Sequence, residues 1–212
     1  MFVKVCGITN AKDAHWAVRC GASALGFVFC ASPRQVTPEE VRVIREELSP
    51  HVRVVGVFTK ESVHRVREVA TYCRLDLVQL HGDPSPGVCR DVGLPCIRAF
   101  GVRDETSLRS VRDYRGAVHA VLLDAWDAER AGGTGRVFDW RLVSRKEALE
   151  IPVILAGGLT PENVGEAVAK VRPHGVDVSS GVETRPGIKD PTLVRRFVKR
   201  ARSGDAREGI RV

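Results

Sequence analysis

Short apolar runs rich in β-branched residues recur along the chain, and each is followed by a stretch whose apolar positions repeat with helical spacing. Such alternation predicts a parallel sheet connected by right-handed helical crossovers. Eight strands are predicted: Phe2–Cys6, Ala24–Phe29, Arg53–Phe58, Leu77–Leu80, Cys96–Phe100, Ala120–Leu123, Pro152–Leu155 and Gly175–Val178. Helices are predicted between and after them: Ala11–Cys20, Pro38–Leu48, Glu61–Cys73, Ser85–Val92, Glu105–Tyr114, Trp140–Leu149, Asn163–Val171 and Pro191–Arg202.

Three of these helices have recognisable start signals. Asn10 precedes the first helix, whereas Thr37 and Thr160 are each followed by proline and glutamate. Asn or Thr at the N-cap accepts a hydrogen bond from a free backbone N–H, and proline suits the first helical position. Acidic residues in the first turn also interact favourably with the helix dipole.

Chain length limits the fold classes that are possible. Eight strand–helix units share 212 residues, about 26 residues per unit, which predicts a closed (β/α)8 TIM barrel of the α/β class forming a single compact domain. No Gly-x-Gly-x-x-Gly sequence follows the first strand, which argues against a dinucleotide-binding fold. We assign residues 1–202 to the barrel and residues 203–212 to a basic, flexible tail.

Composition excludes several classes of protein. Hydrophobic residues make up 43% of the chain, enough for a substantial core. The longest apolar run, residues 24–31, is far shorter than the roughly 18–20 residues of a membrane helix, and the N-terminus lacks a signal-like segment. Six cysteines without a C-x-x-C spacing favour reduced side chains over a zinc site or disulfides. We expect a cytoplasmic protein without a membrane partner.

The net charge of +7 allows two interpretations. A basic excess, locally strong between Arg195 and Arg211, is compatible with nucleic-acid binding, which would weaken steeply with salt. It is equally compatible with steering a small anionic substrate. No aromatic RNA-binding signature or helix-turn-helix pattern is present, so we expect no nucleic-acid partner.

Barrel enzymes build their active sites at the carboxyl ends of the strands, where Cys6 and Asp124 are predicted to lie. A thiol with a lowered pKa at the barrel mouth would serve as a base or nucleophile, although a buried strand-end cysteine fits the same position. Asp124 follows the apolar residues 121–123, and partial desolvation would raise its pKa towards that of a general acid. A helix cap or loop salt bridge is the alternative for Asp124.

Two glycine-containing segments follow the last predicted strands. Gly157 and Gly158 come after the seventh strand, and Ser180 and Gly181 after the eighth. Glycine permits close backbone approach, and paired loops at these two units hold phosphate in many barrels. The pair therefore favours a phosphate site over two ordinary turns.

Three further candidates remain open from position alone. Arg34 suits a bidentate clamp on a carboxylate but also an ordinary surface position. His81, with Gln79 beside it, suits either substrate binding or a loop cap. Residues 132–135, Gly-Gly-Thr-Gly, form either a loop that closes over ligand or a plain turn.

An ordered set of motifs from residue 4 to about residue 190 resembles the phosphoribosylanthranilate isomerase family. The matching segments are residues 4–9 (KVCGIT), 26–29 (GFVF), 32–34 (SPR), 55–58 (VGVF), 78–82 (VQLHG), 122–124 (LLD), 132–135 (GGTG), 155–164 (LAGGLTPENV) and 176–183 (VDVSSGVE). Other phosphate-binding barrels, such as indole-glycerol-phosphate synthase, ribulose-phosphate epimerase and thiamine-phosphate synthase, share the phosphate loops. They give no reason for pairing Cys6 with Asp124.

The resemblance implies an isomerase of tryptophan biosynthesis that converts N-(5-phosphoribosyl)anthranilate to 1-(2-carboxyphenylamino)-1-deoxyribulose 5-phosphate, an Amadori rearrangement. It implies that Cys6 is the general base, Asp124 the general acid and Arg34 the ligand of the anthranilate carboxylate. Phosphate would bind the backbone of residues 157–158 and 180–181. Every step is a proton transfer, so neither a metal nor another cofactor is implied. Monomer and homodimer both remain open.

Overall fold

The computed structural model describes residues 1–125, 140–143 and 149–204. Eight parallel strands form a closed barrel in sequence order, and β8 pairs with β1 to complete it. All eight predicted strands are present, as the (β/α)8 interpretation requires. They are β1 (Phe2–Cys6), β2 (Ala24–Val28), β3 (Arg53–Phe58), β4 (Leu77–Leu80), β5 (Cys96–Val102), β6 (Ala120–Ala125), β7 (Val153–Leu155) and β8 (Gly175–Val178).

The helices surround this barrel. They are α1 (Ala11–Arg19), α2 (Pro38–Glu47), α3 (Val63–Cys73), α4 (Pro86–Asp91), α5 (Val164–Val171) and α6 (Pro191–Gly204). Most strand residues are buried because the outer faces of the strands pack on helices while the inner faces fill the barrel. One apolar cluster fills part of the barrel interior: Ala24, Val55, Leu77, Ile97, Ala99, Ala120, Leu122, Ile154 and Ala156.

Two of the three predicted helix starts are confirmed. The Asn10 side chain accepts a hydrogen bond from the Asp13 backbone N–H, and Thr37 forms a reciprocal capping box with Glu40. At the third, Thr160 Oγ1 accepts a hydrogen bond from the Glu162 backbone N–H at 3.2 Å, but α5 itself begins only at Val164. A turn intervenes, and within it Asn163 Oδ1 accepts a hydrogen bond from the Thr160 backbone N–H.

The predicted helix at residues 105–114 is a 3₁₀ helix. Its apolar residues Leu108, Val111 and Tyr114 are spaced by three, the period of a 3₁₀ helix, so all three face the core in this conformation. Of the predicted helix at residues 140–149, Trp140–Val143 is likewise 3₁₀. The glycine-rich segment at residues 132–135 lies outside the described residues.

An antiparallel hairpin after β8 was not predicted from sequence. It comprises β9 (Glu183–Arg185) and β10 (Ile188–Lys189), joined through Gly187 with φ +82°. The hairpin packs against the β1–α1 loop, where Thr9 donates a hydrogen bond to the Gly187 carbonyl at 2.5 Å. The last strand unit is therefore attached to the first at the carboxyl end of the barrel.

The C-terminal helix continues past the boundary expected at residue 202. Helix α6 includes Ser203 and Gly204, and the Arg202 side chain donates a hydrogen bond to the Gly21 carbonyl. Residues 205–212 lie outside the described part of the chain, so the predicted flexible tail stays a prediction. Among the described helices none has the length and apolarity to cross a membrane.

Candidate active site

Cys6 ends β1 and faces the barrel interior, where its side chain is 8% exposed. Glycine at position 26 of the neighbouring strand makes this possible, since an ideal Cβ there would lie 2.7 Å from Cys6 Sγ. Burial raises the pKa of the Cys6 thiol, and the nearby charges of Lys4 and Lys189 oppose that rise without cancelling it. The expectation of a lowered thiol pKa is therefore wrong, because desolvation in the barrel outweighs the positive charges.

A buried ion pair lies beside this thiol. Lys4 Nζ is 3.0 Å from Asp177 Oδ1, and the Lys4 side chain is fully buried. Burial alone would lower the pKa of Lys4, but Asp177 and Cys6 together raise it. Lys4 is therefore a permanent positive charge within the barrel.

Arg34 lies on the same side of the rim, in the loop after β2. Its side chain is 13% exposed and crosses over Gly7, whose ideal Cβ would collide with Arg34 Cδ. Its guanidinium donates two hydrogen bonds to Glu183, from Nε to Oε1 at 2.8 Å and from Nη2 to Oε2 at 2.6 Å. An ordinary surface position is therefore excluded, because Arg34 is held in one orientation next to Cys6.

Glu183 connects this arginine to the β9–β10 hairpin. Lys189 Nζ lies 2.7 Å from Glu183 Oε1, and both side chains are almost completely buried. Burial would raise the pKa of Glu183, but its hydrogen bonds and charge interactions with Arg34 and Lys189 lower it. The Lys189 backbone N–H donates to Asp13 Oδ2 at 2.8 Å, which secures the hairpin on α1.

His81 immediately follows β4 and pairs with a second polar side chain from that strand. Gln79 Nε2 and His81 Nε2 are 2.8 Å apart. Burial and the charges of Lys4 and Arg98 lower the pKa of His81 to about 4, so the ring is neutral at pH 7. Because the ring is neutral, the Gln79–His81 pair is an uncharged polar group inside the barrel. Among the described residues Gln79 Oε1 is a buried acceptor without a hydrogen-bond partner.

Asp124 is the penultimate residue of β6 and is half-buried. In the sheet register it pairs with Gly101, which places it near the carboxyl end of the barrel as predicted. Its predicted raised pKa stays a prediction.

The two glycine-containing loops contact each other. Gly157 and Gly158 adopt φ angles of +81° and +61°, conformations that other residues rarely tolerate. The Gly158 carbonyl accepts a hydrogen bond from Asn163 Nδ2 at 2.9 Å. Gly181 packs so closely on the Leu159 carbonyl that any Cβ at this position would collide with it. The geometry thus brings the two predicted phosphate-binding segments side by side.

Sequence reasoning missed the charged residues that surround Cys6. Lys4 and Asp177 have a detectable signal, since each is a lone charge inside an otherwise apolar strand. Glu183 and Lys189 have a weaker one, a Pro-Gly turn between two short polar segments. Within residues 1–125, 140–143 and 149–204, no group of three His, Cys, Asp or Glu side chains is placed to hold a metal ion.

A buried thiol, paired charges and glycine loops at the carboxyl end of a (β/α)8 barrel define a barrel enzyme with its site at that end. The chain belongs to the N-(5'-phosphoribosyl)anthranilate isomerase family, whose model matches residues 3–200. A relative from Geobacter sulfurreducens with that name is 51% identical over 201 residues, covering 94% of this chain and 98% of its own.

Solved structures agree with this assignment. A phosphoribosyl anthranilate isomerase from Thermotoga maritima superposes with a TM-score of 0.90 at 43% identity, covering 96% of this chain and 99% of its own. A further structure of the Thermotoga maritima protein describes that enzyme as dimeric. Another isomerase, solved in complex with reduced 1-(o-carboxyphenylamino)-1-deoxyribulose 5-phosphate, has a TM-score of 0.87 at 41% identity, covering 96% and 99% of the two chains.

Proposed function

We propose that this chain catalyses the Amadori rearrangement of N-(5-phosphoribosyl)anthranilate to 1-(2-carboxyphenylamino)-1-deoxyribulose 5-phosphate, a step of tryptophan biosynthesis. The observation that carries the proposal is the position of Cys6 inside the barrel mouth, beside Arg34 and Lys4, in a member of this isomerase family. A relative of the same family has been solved with a reduced form of that product.

The proposed chemistry consists of proton transfers. Protonated Asp124 donates its proton to the furanose ring oxygen as the ring opens to a Schiff base. Cys6, as thiolate, then takes the proton from the adjacent carbon, and the resulting enolamine tautomerises to the ketone product. This division of roles needs an acid that holds its proton and a base that has lost its own, and so two groups with well-separated pKa values.

Substrate binding is proposed to use the two ends of the molecule. Glu183 occupies Nε and one Nη2 hydrogen of Arg34, and we assign the rest of this guanidinium to the anthranilate carboxylate. The phosphate is assigned to the adjoining backbone of residues 157–158 and 180–181. His81, neutral and partly buried near Lys4, is assigned a hydrogen bond to the substrate.

The proposal includes the surroundings in which the enzyme works. We infer a cytoplasmic enzyme, since six free cysteines suit a reducing compartment. Its partner is a small phosphorylated substrate, without a role for nucleic acid, and its assembly is a monomer or a homodimer. Analytical ultracentrifugation of the purified chain distinguishes these two assemblies.

A direct assay tests the proposed activity. Phosphoribosylanthranilate is fluorescent and loses that fluorescence on conversion, so the purified chain is expected to abolish the signal at a rate proportional to its concentration. Heat-denatured protein provides the blank. Persistence of the fluorescence with the folded protein would refute the activity, whichever residues carry it.

A further inference from the structure

A contribution to stability does not explain the buried Lys4–Asp177 pair. Lys4 is 0% exposed, and its ammonium lies 3.0 Å from the Asp177 carboxylate. Removing two charges from water costs about as much as their attraction returns, so a buried ion pair contributes little net stability compared with apolar side chains. Its place in the barrel therefore points to another role.

The position of the Lys4 ammonium relative to the thiol suggests that role. A single ideal Cβ on Gly26 would lie 2.7 Å from Cys6 Sγ and 2.9 Å from Lys4 Nζ. The sulfur and the ammonium thus occupy the same small space left by the missing side chain, and they interact electrostatically.

Several other charged or titratable groups act on Cys6 or on Lys4. They are Asp177 on β8, Lys189 on β10, Arg34 after β2, Cys30 after β2, and His81 after β4, which faces Lys4. Among the positive groups, Lys189 and Arg34 both form ion pairs with Glu183. Lys4 is paired with Asp177 instead and is the largest favourable influence on a Cys6 thiolate.

We propose that Lys4 is a positioning residue for the catalytic base: held by Asp177, its ammonium stabilises the negative charge on Cys6 Sγ inside the barrel. The proposal rests on the proposed role of Cys6. Lys4 keeps its own proton throughout, because Asp177 and Cys6 raise its pKa despite burial. The substrate proton moves to sulfur, and the Lys4–Asp177 pair remains unchanged.

Because Lys4 and Asp177 carry opposite charges, removing one or the other is expected to shift the thiol pKa in opposite directions. A purely structural ion pair would not produce this pattern. Lys4→Met removes the positive charge and leaves Asp177, so the thiol pKa rises. Asp177→Asn removes the negative charge and leaves Lys4, so the thiol pKa falls. The double variant removes both charges, and its thiol pKa is expected between those of the wild type and Lys4→Met.

The test measures the Cys6 thiol directly. Alkylation by iodoacetamide is followed against pH, and the Cys6 peptide is quantified by mass spectrometry beside the other cysteine peptides. At fixed pH we expect at least tenfold slower alkylation in Lys4→Met and faster alkylation in Asp177→Asn. Shifts in the same direction for both single variants, or none, would overturn the proposal.

A substrate-dependent readout complements this titration. In Lys4→Met the acidic limb of the kcat/KM profile is expected to move to higher pH. In the alkylation experiment the partly exposed Cys20 serves as the internal control. If Lys4→Met fails to fold, Asp177→Asn and the neutral double variant still give the predicted order. Because alkylation needs no substrate, wild-type protein that fails to convert phosphoribosylanthranilate refutes the activity alone, and unordered thiol pKa values refute the role of Lys4 alone.

Discussion

Two sides of the barrel interior are both buried, but one is charged and the other is apolar. On the charged side, formed by β8, β1 and β2, Lys4 is 0% and Asp177 8% exposed, with Cys6 beside them. On the apolar side, formed by β5, β6 and β7, the interior is filled by small and branched residues such as Ala99 and Leu122. On the charged side, Gly26 leaves room for two polar groups, because a side chain there would collide with Cys6 Sγ and Lys4 Nζ.

This difference separates stability from chemistry within one core. Apolar interior residues contribute burial free energy without needing a partner. Buried charges contribute little net stability and are tolerated only when paired, so their presence at one side identifies where function is concentrated. Asp124 is the exception on the apolar side, because it is a carboxylate near the end of an otherwise apolar strand.

The largest expected effect comes from removing the proposed reacting group on each side. Cys6→Ser and Asp124→Asn are each expected to lower kcat by about 10²–10⁴-fold with KM largely unchanged, the usual contribution of a positioned acid or base. Steady-state fluorescence assays measure both constants. Cys20→Ser and the exposed Asp113→Asn are matched controls, and near-normal turnover in Cys6→Ser or Asp124→Asn would contradict its assigned role.

Stability measurements sharpen the contrast between the two sides. Lys4→Met leaves Asp177 buried without its partner and is expected to lower the free energy of unfolding by about 3–5 kcal/mol. Leu122→Ala on the apolar side is expected to cost about 2–5 kcal/mol through a cavity. Urea denaturation separates the causes, since adding Asp177→Asn to Lys4→Met should recover stability. A double variant no more stable than Lys4→Met would contradict this account.

His81 follows β4, between these two sides, and its neutral state makes the stability of the folded protein sensitive to acid. Its folded-state pKa of about 4 lies below the ordinary value of 6.5, so the unfolded chain binds more protons in this interval. The free energy of unfolding is therefore expected to fall as pH is lowered from about 6.5 to about 4, by at most about 3 kcal/mol. His81→Gln should flatten this dependence in denaturation at several pH values. The exposed His64→Gln should preserve it, and an unaltered slope in His81→Gln would exclude the histidine as its source.

Substrate binding at the edge of the charged side gives the smallest predicted effect. Arg34→Ala removes a charge-assisted clamp and should raise KM by about 10–100-fold, with a lesser change in kcat. Glu183→Gln keeps the arginine but weakens its orientation, so an increase in KM below about tenfold is expected. Arg42→Ala, on the outer helix α2, is the control. An unchanged KM in Arg34→Ala would be incompatible with the proposed contact.

The barrel and the rim positions of Cys6, Arg34 and Asp124 were predictable because local pattern determines them. Apolar runs mark the strands, and a parallel barrel brings all carboxyl ends to one rim. The pKa direction of Cys6 was not predictable, since it depends on how deeply neighbouring strands bury the sulfur. Of the two opposing charges, Lys4 lies on the same strand as Cys6, whereas Lys189 comes from β10, more than 180 residues away in sequence.

The β9–β10 hairpin shows a second limit. Glu183–Arg185 and Ile188–Lys189 are too short and polar to resemble strands, and only their turn residues Pro186 and Gly187 give a local signal. Their pairing depends on packing against α1 and Arg34, contacts between residues 149 to 178 positions apart. Likewise, the three-residue spacing of the apolar positions in residues 105–114 indicates a 3₁₀ helix only once it is known that these positions pack on the core.

The attachment of this hairpin to the first unit has a consequence for the newly made chain. Lys4 meets Asp177 across 173 positions, and Asp13 meets Lys189 across 176. During synthesis, the first strand is made with its thiol and lysine long before their carboxylate partner exists. The site is therefore completed only after the eighth strand and the following hairpin have left the ribosome, so a chain interrupted before β8 contains Cys6 but lacks the charged groups that surround it.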